Sequence, residues 1–307
     1  MNVEDQKKLV DNITEGKKET LGMNDKFKFQ CNGCGKCCFN NDVMVNVYDI
    51  IRLRHGLKKT TQEIFQENYI NFYIGPSSGL PVISLNFTKI DDKSNITDCP
   101  FLIPNFDNKQ KLKGWLCKVH NDRPIICKLF PCGRVQRIDI KTKKIEENFI
   151  LQDTKEDRAF CPGFNSQKEQ TLNEFLSSQN FWQSKEGSAT FTSILDYLND
   201  SGFFAPTKDN QGSKNKSLFK IDSKVLILLG NLLYNFDSFN TFSSDLRVRK
   251  TIYDTNATQE DFMYVENKVF ELVKKYTDLI KGTSLSVTDF QQFINSLTLG
   301  GENINDK

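Results

Sequence analysis

Residues 31–38 read CNGCGKCC, and the reading of this run decides how the rest of the chain is understood. It is a Cys-x2-Cys-x2-Cys-Cys pattern, two overlapping two-residue spacers with an extra adjacent cysteine. A two-residue spacer lets consecutive thiolates converge on one metal in a tight knuckle. Gly33 and Gly35 suit the positive φ angles such turns need, and they let backbone N–H groups approach sulfur. On extended backbone the neighbours Cys37 and Cys38 would project in opposite directions. The expectation is therefore that one is a bystander, or that the two serve different metals or different atoms of a cluster.

Working outward, all nine cysteines fall between two positions: Cys31, Cys34, Cys37, Cys38, Cys99, Cys117, Cys127, Cys132 and Cys161. Pro162 to Lys307 contains none, which is the sharpest composition shift in the chain. All nine are candidate metal ligands. In the second cysteine-rich run, CKVHNDRPIICKLFPC at 117–132, Pro124 can open a short helix because its missing N–H is not needed in the first turn. Pro131 disfavours helical geometry at Phe130 and closes it, leaving Cys127 inside and Cys132 just past the end. Cys99 and Cys161 each precede a proline.

Basic residues follow the cysteines closely: Lys36, Lys118, Arg123, Lys128 and Arg134. Cations there would offset the charge of gathered thiolates, and ordinary solvated charges explain them equally well except for Arg123, which the following proline fixes in place. His120, three residues after Cys117, has a spacing compatible with a shared metal. His55, just before Gly56, reads as a helix-end residue favoured by the dipole.

Of the 307 residues 38% are apolar and 26% charged, the profile of a soluble globular chain. The 41 basic and 39 acidic residues leave a net charge of +2, which gives no electrostatic reason to expect nucleic acid or an anionic membrane as partner. The N-terminus is charged and lacks an apolar core of the secretory kind. The longest apolar stretch, Val225 to Phe236, is broken by Gly230 and Asn231 and is too short to span a bilayer. A cytoplasmic setting is expected, where thiols stay reduced and clustered cysteines point to metal before disulfides.

The expected fold class is α+β: a small loop-rich cysteine domain with short helices and a hairpin, followed by a mainly α-helical region. The linear division is 1–25 as an N-terminal extension, 26–166 as the cysteine domain and 167–307 as the helical region. Within 26–166, Val45 to Arg54 reads as a helix capped by Gly56. Thr60 with Glu63 reads as a capping box opening a helix over Thr61 to Ile70. Val82 to Phe87 alternates like a strand, and Arg134 to Leu151 reads as a hairpin turning at the KTKK of 141–144. Further helices are expected at Gln167 to Ser178, Gly187 to Leu198, Ser223 to Asn235, Gln259 to Lys281 and Val287 to Leu297. Thr258 with Asp261 and Ser286 with Asp289 are their N-cap signals, and Lys208 to Lys216 reads as a polar loop. Nucleotide-loop, zinc-protease and nucleophile-elbow motifs are absent from the sequence.

The ordered set CNGCGKCC, DCPFL at 98–102, CKVHNDRPIICKLFPC and CPGF at 161–164 resembles the YkgJ-like cysteine-cluster family, the CxxCxxCC zinc- or iron-chelating domain. The resemblance covers roughly residues 26–166. It implies that the cysteines of these motifs chelate metal and that the family's Arg-Pro step falls on Arg123-Pro124. A more distant likeness in cysteine framework, to flagellin lysine-N-methylase, implies the alternative of a protein-modifying methyltransferase using S-adenosylmethionine. Whether the chain is an enzyme stays open.

Zinc in four-thiolate sites accounts for the knuckles. Iron–sulfur has its own support, because Cys31, Cys34 and Cys37 reproduce the Cys-x2-Cys-x2-Cys run of bacterial ferredoxins and the remote Cys161-Pro162 could complete it. The adjacent pair tips the balance slightly toward an iron-containing, polynuclear centre. The expected role is metal or cluster binding, with the helical region docking a protein partner or covering the site.

Overall fold

Short-range capping fixes several elements before any packing does. In the computed structural model, which describes residues 20–74, 81–91, 93, 95–138, 145–152, 160–200 and 223–282, the Thr60–Glu63 box is complete. The Glu63 N–H donates to Thr60 Oγ1 at 3.2 Å, and Glu63 Oε2 accepts from the Thr60 N–H at 2.7 Å. The helix it opens, Thr61–Gln66, is shorter than expected, because Asn68 takes a left-handed φ of 56° and the strand Ile70–Ile74 begins. A second box, Asn46 with Asp49, opens the helix Val47–Leu57. Gly56 is not its cap. It lies inside the helix, and the left-handed cap is Lys58 at φ 57°. Gly56 is small for a packing reason: a Cβ there would sit 2.9 Å from Asp122 Cβ.

The fold is α+β, and contacts divide it into two units that interleave along the sequence. One takes Met1–Asn41, Leu102–Cys117 and Ile125–Trp182; the other takes Asp42–Phe101, Lys118–Pro124 and Gln183–Lys307. The linear division of the sequence thus names regions of the chain rather than these spatial units.

The first unit is built on three antiparallel pairs. Lys26–Lys28 pairs with Glu169–Thr171, so part of the segment expected to be helical from Gln167 is strand, and the helix Leu172–Ser178 follows it. Leu102–Phe106 pairs with Leu112–Cys117, and Cys132–Ile138 pairs with Ile145–Leu151 in the expected hairpin. The turn at 141–144 lies outside the described residues. Between these pairs Pro124 precedes the short helix Ile125–Leu129, as its position predicts. The core joins Phe27, Phe29, Phe149, Phe164, Phe175 and Phe181 to buried leucines and to Cys132. Edge-to-face ring pairs such as Phe29–Phe164, centroids 5.3 Å apart, add to the apolar burial.

The second unit holds a three-stranded sheet, with Pro81–Leu85 between Met44–Val45 and Ile70–Ile74, and most of the helices. Ser223–Tyr234, Leu246–Tyr253 and Gln259–Gly282 are helices, and Phe181–Asp200 contributes all but its first two residues. Thr258 and Asp261 cap the long helix as expected. Arg54, fully buried, donates from Nε and Nη2 to the Asp237 carboxylate at 2.7 Å each, and the Thr61 N–H donates to Asp237 Oδ2 at 2.8 Å. The expected helix at Val287 to Leu297, with its cap at Ser286, and the loop at Lys208 to Lys216 fall outside the described residues. Among those described, no helix is long and apolar enough to cross a membrane.

Candidate metal centre

Eight of the nine cysteines belong to the first unit; Cys99, buried, belongs to the second. No disulfide joins any of them. The CNGCGKCC loop owes its shape to a partner strand distant in sequence. The Trp115 N–H donates to the Gly33 carbonyl at 2.9 Å. Gly33 and Gly35 hold φ of 67° and 73°, the left-handed values expected of them. A Cβ on Gly35 would lie 2.7 Å from Trp115 Cβ, and one on Gly114 would lie 2.8 Å from the Gly33 oxygen. The Phe39 ring meets the Trp115 ring edge-on at 5.6 Å, closing the loop's far end. Gly114 and Trp115 are positioning residues that the sequence reading missed. A glycine inside the strand LKGWLC was the available signal, since it marks close backbone approach.

The other end of the loop is tied to the segment that carries Cys161. The Gln30 N–H donates to the Gly163 carbonyl at 3.1 Å, and a Cβ on Gly163 would fall 2.8 Å from the Gln30 oxygen. Cys161 is buried at the start of a 3-10 turn that Pro162 opens. Burial pushes its thiol upward and the Gly163 backbone draws it partly back. The thiols of Cys34, Cys37 and Cys31 push it up further, since all three lie within electrostatic reach of it.

Cys37 and Cys38 do not project in opposite directions. Lys36–Cys38 is a 3-10 turn closed by a 2.8 Å hydrogen bond from the Cys38 N–H to the Gly35 carbonyl, and the two Sγ atoms stand 3.9 Å apart. Extended backbone was the wrong premise for this pair. The 3.9 Å gap puts the two sulfurs side by side rather than on opposite faces of the backbone.

The remaining cysteines of the unit have different surroundings. Cys132 opens a strand inside the phenylalanine core, and burial lifts its thiol to about 12. Cys127 is half-buried in the helix Ile125–Leu129, and Cys117 ends its strand opposite Leu102. Of the basic neighbours, Arg134 is engaged by Glu147 at 2.6 Å, Lys36 lies over the Phe160 ring at 5.9 Å and Lys128 is buried. Lys118 and Arg123 belong to the second unit, as does the exposed His120. His55, in the last turn of its helix, has Nδ1 3.0 Å from Asp122 and Nε2 3.1 Å from the Asp254 carbonyl, a structural bridge.

In kind and number, four thiols suit zinc or an iron–sulfur cluster. Among the described residues, no three His, Cys, Asp or Glu side chains are arranged to hold one ion as they stand.

Residues 30–150 match the family model CxxCxxCC, described as a putative zinc- or iron-chelating domain. The matched span takes in eight cysteines, and Cys161 lies beyond its end. No curated protein and no solved structure matches the chain.

Proposed function

We propose, from the match of residues 30–150 to the CxxCxxCC family model, that the chain holds a metal through the thiolates of Cys31, Cys34, Cys37 and Cys161. What supports this set is the Cys-x2-Cys-x2-Cys spacing of Cys31, Cys34 and Cys37 together with the 3.1 Å hydrogen bond from the Gln30 N–H to the Gly163 carbonyl, which ties the Cys161 turn to the start of that loop. Ion or cluster would supply a cross-link between the CNGCGKCC loop and the Cys161 turn, with one-electron chemistry added if it contains iron. The protein residues do the arranging. Gly33 and Gly35 turn the loop, Trp115 and Gly114 brace its back, and the Gln30–Gly163 hydrogen bond brings Cys161 alongside. Cys132, raised to about 12 in the core, is a packing residue in this reading.

Elemental analysis and a visible spectrum of protein purified without oxygen test the proposal. Wild type is expected to carry zinc or iron in fixed ratio to chain. Serine at Cys31, Cys34, Cys37 or Cys161 lowers that ratio, and Cys132→Ala keeps it. Wild-type metal content in all four serine variants would overturn the ligand assignment.

A further inference from the structure

We propose that Cys37 and Cys38 form a vicinal dithiol that a hydroperoxide converts reversibly to a disulfide, and that this bond withdraws Cys37 from the metal centre and releases the ion. The inference rests on the ligand set proposed above and adds a means of regulating it. Its basis is geometric. The two Sγ atoms lie 3.9 Å apart on one side of a 3-10 turn, both half-buried and so reachable by a small peroxide. A sulfur–sulfur bond of about 2.0 Å needs only a modest approach. Cys38 is not among the four ligands proposed above, so its sulfur is the one left to attack.

The step balances with the peroxide as oxidant. The Cys38 thiolate attacks one peroxide oxygen, the O–O bond breaks, and a sulfenic acid forms as the first water or alcohol leaves. The Cys37 sulfur then attacks the sulfenic sulfur, the S–O bond breaks, and the hydroxyl departs as water with the remaining thiol proton. The sulfur pair loses two electrons and the peroxide gains them. Adjacent Cα atoms are about 3.8 Å apart, less than the usual disulfide span of roughly 4.4–6.8 Å, so the bond is strained and easily reduced. That strain suits a reversible switch.

The experiment treats metal-loaded full-length chain, anaerobically, with one equivalent of hydrogen peroxide. A chromophoric chelator reads metal release, and non-reducing peptide mapping locates the bond. Expected are a loss of two hydrogens from the peptide holding Cys37 and Cys38, release of the metal, and recovery of both thiols with a dithiol reductant. Cys38→Ser should slow release at least tenfold. Release accompanied by a bond between other cysteines, or at the wild-type rate in Cys38→Ser, overturns the proposal. A chain that holds no metal yet closes the pair overturns the ligand reading and the release step with it. A metal-loaded chain that closes no bond overturns the switch alone.

Discussion

The Trp115 N–H donates to the Gly33 carbonyl at 2.9 Å, so a strand residue far along the chain sets the curvature of the cysteine loop. Gly35 turns beneath the same side chain at φ 73°, with no room for a methyl group. The first prediction concerns this contact. Gly35→Ala places a Cβ 2.7 Å from Trp115 Cβ and forces an L-residue into the left-handed region, the latter alone costing roughly 1–2 kcal/mol. Thermal unfolding and metal titration should both weaken. A variant with wild-type stability and affinity would show that the brace is dispensable.

Much of this was legible in the sequence where the cause is local. The Thr60–Glu63 box, the helix after Pro124, the turn glycines of CNGCGKCC and the hairpin expected over Arg134 to Leu151 each follow from residues a few positions apart. What escaped depends on partners distant in the chain. Gly56 looked like a cap because nothing near it announces Asp122, and Glu169–Thr171 looked helical because its pairing strand is Lys26–Lys28. Cys37 and Cys38 were misjudged for a different reason: the assumed backbone was extended, and the real one is a 3-10 turn. Cys161 was named from its Cys-Pro step as a remote partner for Cys31, Cys34 and Cys37, whereas the Gln30–Gly163 hydrogen bond that ties its turn to the loop is contained in no spacing rule.

Within the helical unit the buried Arg54–Asp237 pair predicts a large asymmetry. Asp237→Ala leaves the guanidinium buried without its carboxylate and should cost about 3–5 kcal/mol in denaturant unfolding. Replacing both together, Arg54→Met with Asp237→Leu, removes the charges as a pair and should cost clearly less. Equal losses in the single and double variants would contradict this account.

Glu266 supplies the pH prediction. It is fully buried, and burial lifts its pKa to about 8 against the partial offset of hydrogen bonds from the Thr190 side chain and the Phe191 backbone, with Asp49 adding to the rise. A carboxyl that ionises higher in the folded chain than in the unfolded one binds more protons when folded. Its contribution is therefore complete below the ordinary glutamate range, about 4.5, and is lost progressively as pH rises toward about 8. Glu266→Gln keeps the neutral form and should stabilise the chain at neutral pH by on the order of 3 kcal/mol, flattening the decline between those limits. Unfolding midpoints across pH 4 to 9 check this; identical profiles for both proteins would refute it.

The most direct measurement is X-ray absorption at the zinc or iron edge of the anaerobically purified chain. An all-sulfur first shell of four scatterers, near 2.3 Å for either metal, is the predicted result. A first shell dominated by nitrogen or oxygen would contradict the claim that Cys31, Cys34, Cys37 and Cys161 hold the ion.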